Sequence, residues 1–438
     1  MSAPYSRSRA ALCVPLLFAL LSSLIACGPA GVTPPGNKPT TNNAGGDDDS
    51  DEGSTDEGTR DAPAQTSNAD GGQRKQDASV RPQDAGKLLD ASNKPPTGDS
   101  STPAPAVDAG KDVPDSAAPV ASSSFADSTL VPHASWTCGL PEGIPSPVGA
   151  PLVFTAELAI ANVREAGDTQ FGKRQLIELN TGTFKGDKLD AALQAGGLDQ
   201  PLLLANGALE LEEILTLKTK DGKYIYLRVC GTAPNADEPM RVVMDFEAPN
   251  GGAYAFLNTA KLVGTRTVDT AAKKLTLSVY DVSKVDAASN KISIENPAGV
   301  VDQTWDCKTD KGTAGEQIYK EVVNIGSSLS VGASKRGNRN IIPITGGTTT
   351  GRIKGSVLPG GGDFQILDSG FVLDARYTMR ADDGELILVR NCGPASALVP
   401  VFEARAEGPY AFLNANQWLS SSPSVGLGTV TLTITEKR

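Results

Sequence analysis

The chain of 438 residues has a single histidine, His133, and no Cys-x-x-Cys motif. A Ser-His-Asp centre, a Cys-His centre and a histidine-ligated metal site all need histidine inside the folded region, so these site classes are excluded there. Aromatic residues make up only 5% of the chain, and no basic stripe interleaves with them as in a nucleic-acid-binding surface. We therefore expect no metal, no cofactor and no nucleic-acid partner, and any catalysis would rest on carboxylate, Arg, Tyr or Lys side chains.

Long hydrophobic runs are missing after residue 26. The one apolar stretch, Ala10 to Leu24, follows two arginines and is too short to span a bilayer as a mature helix. The sequence Leu-Ile-Ala-Cys that ends at Cys27 resembles the lipobox of bacterial lipoproteins. This resemblance implies a signal peptide over 1–26, lipidation of Cys27 and, because Gly28 follows, an outer-membrane location facing the periplasm or the surface. The alternative is an ordinary secretory signal with an incidental cysteine.

The segment 27–133 has the composition of a disordered linker. Pro, Gly, Ser, Ala, Asn and Asp dominate it, and residues 28–133 carry 17 acidic against 8 basic side chains. Such a segment buries too little apolar surface to offset the entropy lost on ordering. Most of the chain's net charge of −11 therefore belongs to a spacer that would hold the folded part away from a membrane.

The folded part contains an internal repeat, which indicates duplication of a whole domain. Matching segments occur in the same order in both halves: Trp136-Thr137-Cys138 and Trp305-Asp306-Cys307, Gly172-Lys173-Arg174 and Gly337-Asn338-Arg339, KDGKYIYLRVCG (220–231) and DDGELILVRNCG (382–393), DFEAPNGGAYAFLN (245–258) and VFEARAEGPYAFLN (401–414). We assign a first repeat to 134–283, a connector to 284–304 and a second repeat to 305–438.

Each repeat has the pattern of an all-β protein. Short β-branched or aromatic runs alternate with Asp-Gly, Pro-Gly and Asn-Gly turn signals, and helical periodicity is confined to 187–195. Many antiparallel strands in about 140 residues favour a closed barrel or a sandwich, because both architectures protect sheet edges. We predict an all-β fold of two tandem antiparallel β-barrels after the disordered linker.

Four cysteines remain in the folded part once those of the signal and the lipidation site are set aside, and four cysteines allow three pairings. Repeat symmetry favours Cys138–Cys230 and Cys307–Cys392. Disulfides suit an oxidising periplasm or cell surface.

The stretch 343–364, PITGGTTTGRIKGSVLPGGGDF, contains seven glycines but lacks the GxxxxGK[ST] register of a phosphate-binding loop. A strand-like segment follows it rather than the helix of a dinucleotide site. With LDARYTMRADDGELILVRN (373–391) and FEARAEGPYAFLN (402–414), it resembles the domain-of-unknown-function family 3237. The resemblance implies a β-barrel without an agreed reaction, and it is weaker in the first repeat, which we regard as degenerate.

Polar residues on neighbouring predicted strands form the candidate ligand site. Asp374, Arg376 and Thr378 share one strand face, since side chains alternate along a strand. The candidates are Asp363, Asp374, Arg376, Arg390, Asn391, Glu403, Tyr410 and Asn414, with Arg228, Tyr254 and Asn258 in the first repeat. In one arrangement they surround a barrel mouth. In the other, Asp374 and Arg376 pair on the wet outer face while Leu373, Ala375, Tyr377 and Met379 point inward.

These features favour an exported, lipid-anchored protein that binds a small molecule or envelope component in a β-barrel. A cofactor-free isomerase, cyclase or lyase that uses carboxylate and Arg is the second hypothesis. A structural or surface interaction module is the third.

Overall fold

The computed structural model describes residues 125–134, 136, 138–295, 307, 312–368 and 370–438. The predicted signal peptide, Cys27 and most of the predicted linker lie outside them. The described part is built from β-strands and three short 3₁₀ helices. None of its helices is both long enough and apolar enough to cross a bilayer.

The described residues begin inside the segment predicted as linker and lead into the first barrel. In chain order the elements are η1 (Phe125–Asp127), β1 (Thr129–Val131), β2 (Leu152–Asp168), β3 (Lys173–Gly186), β4 (Leu189–Leu193), β5 (Leu198–Leu203), β6 (Leu209–Thr219), β7 (Tyr224–Ala233), β8 (Met240–Glu247), η2 (Ala255–Asn258), β9 (Leu262–Asp269) and β10 (Lys274–Asp281).

Strands β2 to β10 form one closed antiparallel sheet. The order is β2-β10-β9-β8-β7-β6-β4-β3-β5, and the pairings of β2 with β3 and of β5 with β6 complete the ring. Alternate side chains point inward, so that Leu211, Leu215 and Leu217 of β6 belong to the barrel core.

The predicted connector also contains a strand, β11 (Lys291–Ser293), which pairs in parallel with β1. Leu130 of β1 is fully buried in a cluster with Trp136 and Ile144 on the outside of the first barrel. The Cys138–Cys230 disulfide joins the same cluster. The segments that precede and follow the first barrel in the chain therefore pair with each other and pack on its outer surface.

The second barrel follows from residue 314. Its elements are β12 (Ala314–Ile325), β13 (Leu329–Ser334), β14 (Gly337–Gly351), β15 (Gly355–Val357), β16 (Gly362–Ile366), β17 (Val372–Ala381), β18 (Leu386–Pro394), β19 (Val399–Glu403), η3 (Ala411–Ala415), β20 (Trp418–Ser420), β21 (Ser424–Val425) and β22 (Thr429–Lys437).

These strands form a ring-like sheet in the order β19-β18-β17-β15-β14-β12-β22-β20. The ring ends β19 and β20 do not form a ladder, although Ser420 N donates to Leu398 O at 3.2 Å. The second disulfide, Cys307–Cys392, ties the segment before β12 to β18. The all-β prediction, the two tandem barrels and both disulfide pairings are thus confirmed.

The helix expected over 187–195 is wrong, because this segment contains strand β4. Ala191 and Ala192 pair with β3 on one side and with β6 on the other. Sheet hydrogen bonding on both edges outweighs the weak helical preference of the local sequence.

The two barrels contact each other through reciprocal ion pairs that follow the repeat. Arg174 at the start of β3 forms a two-pronged pair with Glu403 at the end of β19, at 2.9 and 3.0 Å. Its counterpart Arg339 at the start of β14 pairs in the same way with Glu247 at the end of β8, at 2.6 and 3.0 Å. Equivalent residues therefore exchange partners across an approximate two-fold interface.

Apolar and backbone contacts fill the space between these pairs. Tyr226 of the first barrel packs edge-on against Phe364 of the second, with ring centroids 5.5 Å apart. In the glycine-rich stretch, Gly361 N donates to Gly197 O of the first barrel at 2.8 Å. A Cβ on Gly361 would lie 2.0 Å from Arg376 O, and its φ of +74° also favours glycine. These glycines therefore permit close packing at the interface.

Candidate functional site

Three of the candidate residues, Asp374, Arg376 and Arg390, face outward from the second barrel. Tyr377 and Met379, at alternate positions of β17, belong to the barrel core. This is the second of the two arrangements considered from the sequence, with one difference. The outer face is covered by the first barrel rather than by water, so that only 6% of Arg376 is exposed.

A charged network connects the barrels at this point. Arg376 Nη2 lies 2.9 Å from Asp374 Oδ2, and Arg390 Nε lies 2.9 Å from Asp374 Oδ1. Arg376 Nη1 also bonds Glu212 of the first barrel, whose carboxylate is 3.6 Å from Arg228. Burial alone would raise the pKa of Asp374, but the two guanidiniums outweigh it and hold the pKa below its usual range. The network therefore joins three arginines and two carboxylates across the interface.

Three further candidates, Asn414, Asn258 and Tyr254, brace the loops that follow β8 and β19. Asn414 accepts from Ala404 N at 2.9 Å and donates to Ala404 O at 3.0 Å. Asn258 makes the same pair of bonds to Ala248 in the first barrel. The Tyr254 hydroxyl donates to Asp221 at 2.8 Å. Their shared motif therefore supports the same loop in both repeats.

The Tyr410 hydroxyl bonds Asp383, and burial together with this bond raises its pKa. Glu403, described above, holds Arg174 and also accepts from Thr169 Oγ1 at 2.6 Å. Both residues thus have protein partners in the described structure, and a ligand-binding role for them remains a prediction.

The remaining two candidates, Asp363 and Asn391, lie on the inner face of the second barrel. Each is directly opposite Ala375, which packs against the barrel core. Asp363 accepts from Gln365 Nε2 at 2.7 Å and from Asp374 N at 3.1 Å. Burial raises the pKa of Asp363 to about 6. Asn391 donates to Ser420 Oγ at 3.0 Å.

A cluster that the sequence analysis did not single out lies in the same lumen. Tyr377 Oη donates to Glu321 Oε1 at 2.6 Å, and the Tyr319 hydroxyl adjoins that of Tyr377. Thr349 is directly opposite Glu321 in the register of β12 and β14. We call Tyr319, Glu321, Thr349 and Tyr377 the lumen cluster.

The polar atoms of the lumen cluster are incompletely satisfied. Within the described structure, Glu321 Oε2 and Thr349 Oγ1 are buried without a hydrogen-bond partner. Burial raises the pKa of Glu321 to about 7, although the bond from Tyr377 opposes this shift. Buried polar groups in folded proteins nearly always have partners, so unsatisfied ones mark a place where a ligand or water binds.

The first barrel has apolar residues at all four equivalent positions. Ala156 and Phe184 are directly opposite one another, as Glu321 and Thr349 are in the second barrel. Phe154 occupies the position of Tyr319, and its ring lies 6.1 Å from that of Phe184. Leu215 occupies the position of Tyr377. A purely structural role for the lumen cluster would not require this polar set, because the same frame closes around apolar side chains.

Comparison of the repeats contained a signal for the lumen cluster. Phe-Thr-Ala at 154–156 becomes Tyr-Lys-Glu at 319–321, which adds a phenol and a carboxyl to one inward face. The two residues flank a lysine, so the segment has the pattern of an ordinary alternating strand. The sequence alone does not show that Tyr319 and Glu321 point inward. Among the described residues there is no group of three His, Cys, Asp or Glu side chains arranged to hold a metal.

Comparison with known proteins identifies the family of the chain. The sequence profile of the family described as protein of unknown function (DUF3237) matches residues 150–285 and 314–411. A UPF0311 protein of Bradyrhizobium diazoefficiens is 37% identical over 78 residues, which is 17% of this chain and 51% of that protein. A UPF0311 protein of Clostridium acetobutylicum is 34% identical over 104 residues, 23% of this chain and 66% of that protein. The matches span between half and two thirds of these relatives.

Solved structures resemble single portions of the chain. A protein of unknown function from Clostridium acetobutylicum has a TM-score of 0.28 at 22% identity, with 31% of this chain and 99% of that chain covered. A β-barrel-like protein from Acinetobacter baumannii has a TM-score of 0.26 at 24% identity, with 30% and 94% covered. Because the family profile matches each barrel separately and more than half of the chain in total, this chain belongs to the DUF3237 family, as a tandem pair.

Proposed function

We propose that the protein binds a small molecule in the lumen of its second barrel. The observation that carries this proposal is the lumen cluster, in which Glu321 and Thr349 present buried polar atoms without protein partners. Phe402 and Trp418 of the same core provide apolar walls beside it. A ligand with a hydroxyl or carbonyl group on a small apolar body would match these surroundings.

The family relation supports the barrel as the functional unit but adds no ligand. Asp363 and Asn391 line the same lumen and extend its polar surface toward β16 and β18. We include them in the proposed site. The other candidate residues already have protein partners at the interface or in the loops, so we do not include them in the proposed site.

The binding proposal is tested by ligand capture with the full chain. Wild-type protein is incubated with a bacterial metabolite extract, washed and analysed by native mass spectrometry. We expect a retained small molecule that disappears in the variant Tyr319→Phe/Glu321→Ala/Tyr377→Leu, which copies the first barrel at three of the four positions. The control Glu157→Gln changes an exposed glutamate of the first barrel. No retained molecule, or equal retention by the triple variant, would contradict the proposal.

A second function, proton transfer without a cofactor, is favoured by one specific observation. Glu321 has a pKa raised to about 7 and accepts a hydrogen bond from Tyr377, so both protonation states are accessible near neutral pH. An isomerase, cyclase or lyase needs such a group. In a substrate screen, Glu321→Gln should abolish turnover while leaving ligand retention intact. Turnover that survives this substitution would rule out Glu321 as the proton-transfer group.

We further propose that the protein is anchored to the outer membrane through acylated Cys27. The lipobox-like sequence before Cys27 supports this, and the two disulfides suit an oxidising compartment. Metabolic labelling with an alkyne fatty acid should mark the wild type and leave Cys27→Ser unlabelled. Unlabelled wild-type protein would instead favour an ordinary secreted form.

A further inference from the structure

The first barrel carries a different group of charged side chains in its own lumen. Asp199 of β5 and Glu213 of β6 are directly opposite one another. Glu213 lies between Leu211 and Leu215 on the inward face of β6. From β9, Arg266 Nη2 donates to Asp199 Oδ2 at 2.5 Å. Glu213 is one inward position away from Leu215, which occupies the position of Tyr377.

The charges and hydrogen bonds of this group are unbalanced. Glu213 is 0% exposed and Asp199 is 2% exposed. Within the described structure, both carboxylate oxygens of Glu213, Oδ1 of Asp199 and Nε of Arg266 have no hydrogen-bond partner. When Glu213 is ionised, the group therefore has three unpartnered acceptor oxygens and one unpartnered donor. The ion pair of Asp199 with Arg266 is neutral as a unit, so the carboxylate of Glu213 has no cation of its own.

The residues around Glu213 limit which kind of ligand the lumen of the first barrel can bind. Leu211 and Leu215 flank Glu213, and Val229 is directly opposite it on β7. An apolar wall favours an alkyl group next to the charged atoms. The three acceptor oxygens match the three N–H donors of a primary ammonium group. A metal is a poorer fit, since these residues provide two carboxylates and the described chain has no metal-ligating cluster of three.

We propose that the lumen of the first barrel binds a small primary alkylammonium ion through Glu213 and Asp199. Its N–H groups donate to the three unpartnered carboxylate oxygens, and Arg266 keeps the Asp199 carboxylate in place. Arg266 retains an exposed fraction of 6% of its side chain, so it marks the side nearest to solvent. This site is independent of the one proposed in the second barrel. There, Ala375 occupies the position of Glu213, so the second barrel has no carboxylate at this point.

Binding of the cation should release the proton of Glu213, which makes the affinity depend on pH. Burial and, to a smaller extent, the Asp199 carboxylate raise the pKa of Glu213 to about 8, although Arg266 opposes the shift. These two residues are the charged groups that act on Glu213 from the facing strands. Below that pH the free site holds a proton, which the bound cation displaces. Affinity should therefore rise about tenfold per pH unit between pH 6 and 7, because one proton is released for each ion bound.

The probe is ethylammonium chloride, titrated by calorimetry into the full chain in buffered saline. We expect saturable binding to one site, with release of a proton detected in buffers of different ionisation enthalpy. Glu213→Gln should weaken binding by about tenfold or more, since it removes a charged acceptor. Asp199→Asn provides a second variant, and circular dichroism confirms that each variant is folded.

Two matched controls separate this site from others. Glu157→Gln, on the exposed face of β2, and Glu321→Gln, in the second barrel, should bind ethylammonium as the wild type does. Tetramethylammonium, which has no N–H group, should not bind. The proposal is overturned if the wild type does not bind ethylammonium, if Glu213→Gln and Asp199→Asn both bind it equally well, or if tetramethylammonium binds as tightly.

Discussion

The two barrels of this chain share a frame but differ in what their lumens contain. Both have the same disulfide, the same asparagine loop brace and the same reciprocal arginine at the interface. Where the first barrel packs Phe154 and Phe184, the second has Tyr319 and Thr349. The frame is therefore maintained by residues at strand ends and loops, while the inward positions are free to diverge. Because side chains alternate along a strand, a change on the inner face leaves the interface untouched.

The largest effect is expected at the interface that the barrels share. Arg339→Ala leaves Glu247 buried without its main partner, which should lower the free energy of unfolding by about 3–5 kcal/mol. Arg174→Ala should cost a similar amount, because it exposes Glu403 to the same loss. Urea denaturation followed by fluorescence measures both.

The control for this pair is Arg164→Ala. Its partner Glu178 lies on the same barrel, and both side chains are at least 25% exposed. Removal of a surface pair should cost less than about 1 kcal/mol. If the interface variants are no more destabilised than this control, the reciprocal pairs do not hold the barrels together.

The next effect concerns the pH dependence of stability, which differs between the barrels in its pH window and in its size. Glu321 has a folded pKa of about 7, above the unfolded value of about 4.3, so the folded state keeps its proton over this range. The contribution of Glu321 to the free energy of unfolding should therefore fall by about 3–4 kcal/mol as pH rises from about 4 to 7. Glu321→Gln should remove this contribution and leave that of Glu213.

The matching variant in the first barrel is Glu213→Gln. Because the pKa of Glu213 is raised to about 8, its contribution should be lost over a window that extends one pH unit higher. Denaturation at a series of pH values between 4 and 9 separates the two. A wild-type stability that is flat across this range would contradict both assignments.

A smaller effect is expected from the loop brace. Asn414→Ala removes two hydrogen bonds to the backbone of Ala404, and Asn258→Ala removes the same two to Ala248. Each should lower the free energy of unfolding by about 1–2 kcal/mol. Thermal denaturation should show equal shifts in the two variants. A large difference would mean that the asparagine has a further role in one barrel.

The smallest effect is expected at the tyrosines of the same motif. The Tyr254 hydroxyl bonds Asp221 at the protein surface, so Tyr254→Phe should change stability by less than about 1 kcal/mol. Tyr410→Phe should behave alike and should leave ligand capture by the second barrel unchanged. Loss of capture in Tyr410→Phe alone would restore this residue to the candidate site.

Much of the fold could be predicted from the repeat and from strand periodicity. The disulfides followed from symmetry, since each repeat has one cysteine before its first barrel strand and one in a central strand. The helical prediction for 187–195 is wrong because β4 is short and because its pairing with β6, on the edge opposite β3, is not visible in the local pattern. The order at 125–131 was missed because its stability comes from packing on the first barrel rather than from its own composition.

The candidate site was less predictable, and particular residues show why. Asp374 and Arg376 are predicted as ligand-site residues because they form a charged pair on one strand face. Their alternation with Tyr377 indicated two faces, but strand periodicity alone does not say which face is covered, and by what. Tyr319 and Glu321 looked unremarkable because their partners Thr349 and Tyr377 come from strands far along the sequence.

The amino-acid sequence by itself determined the all-β class and the duplication and favoured the disulfide pairing, since these depend on local patterns and on the repeat. Only the tertiary structure decided which side chains face a lumen and which face the other barrel. The reason is physical: burial and pairing depend on strands brought together by ring closure, as with Glu321 and Tyr377. The contact of Arg376 with Glu212 likewise depends on how the two rings meet.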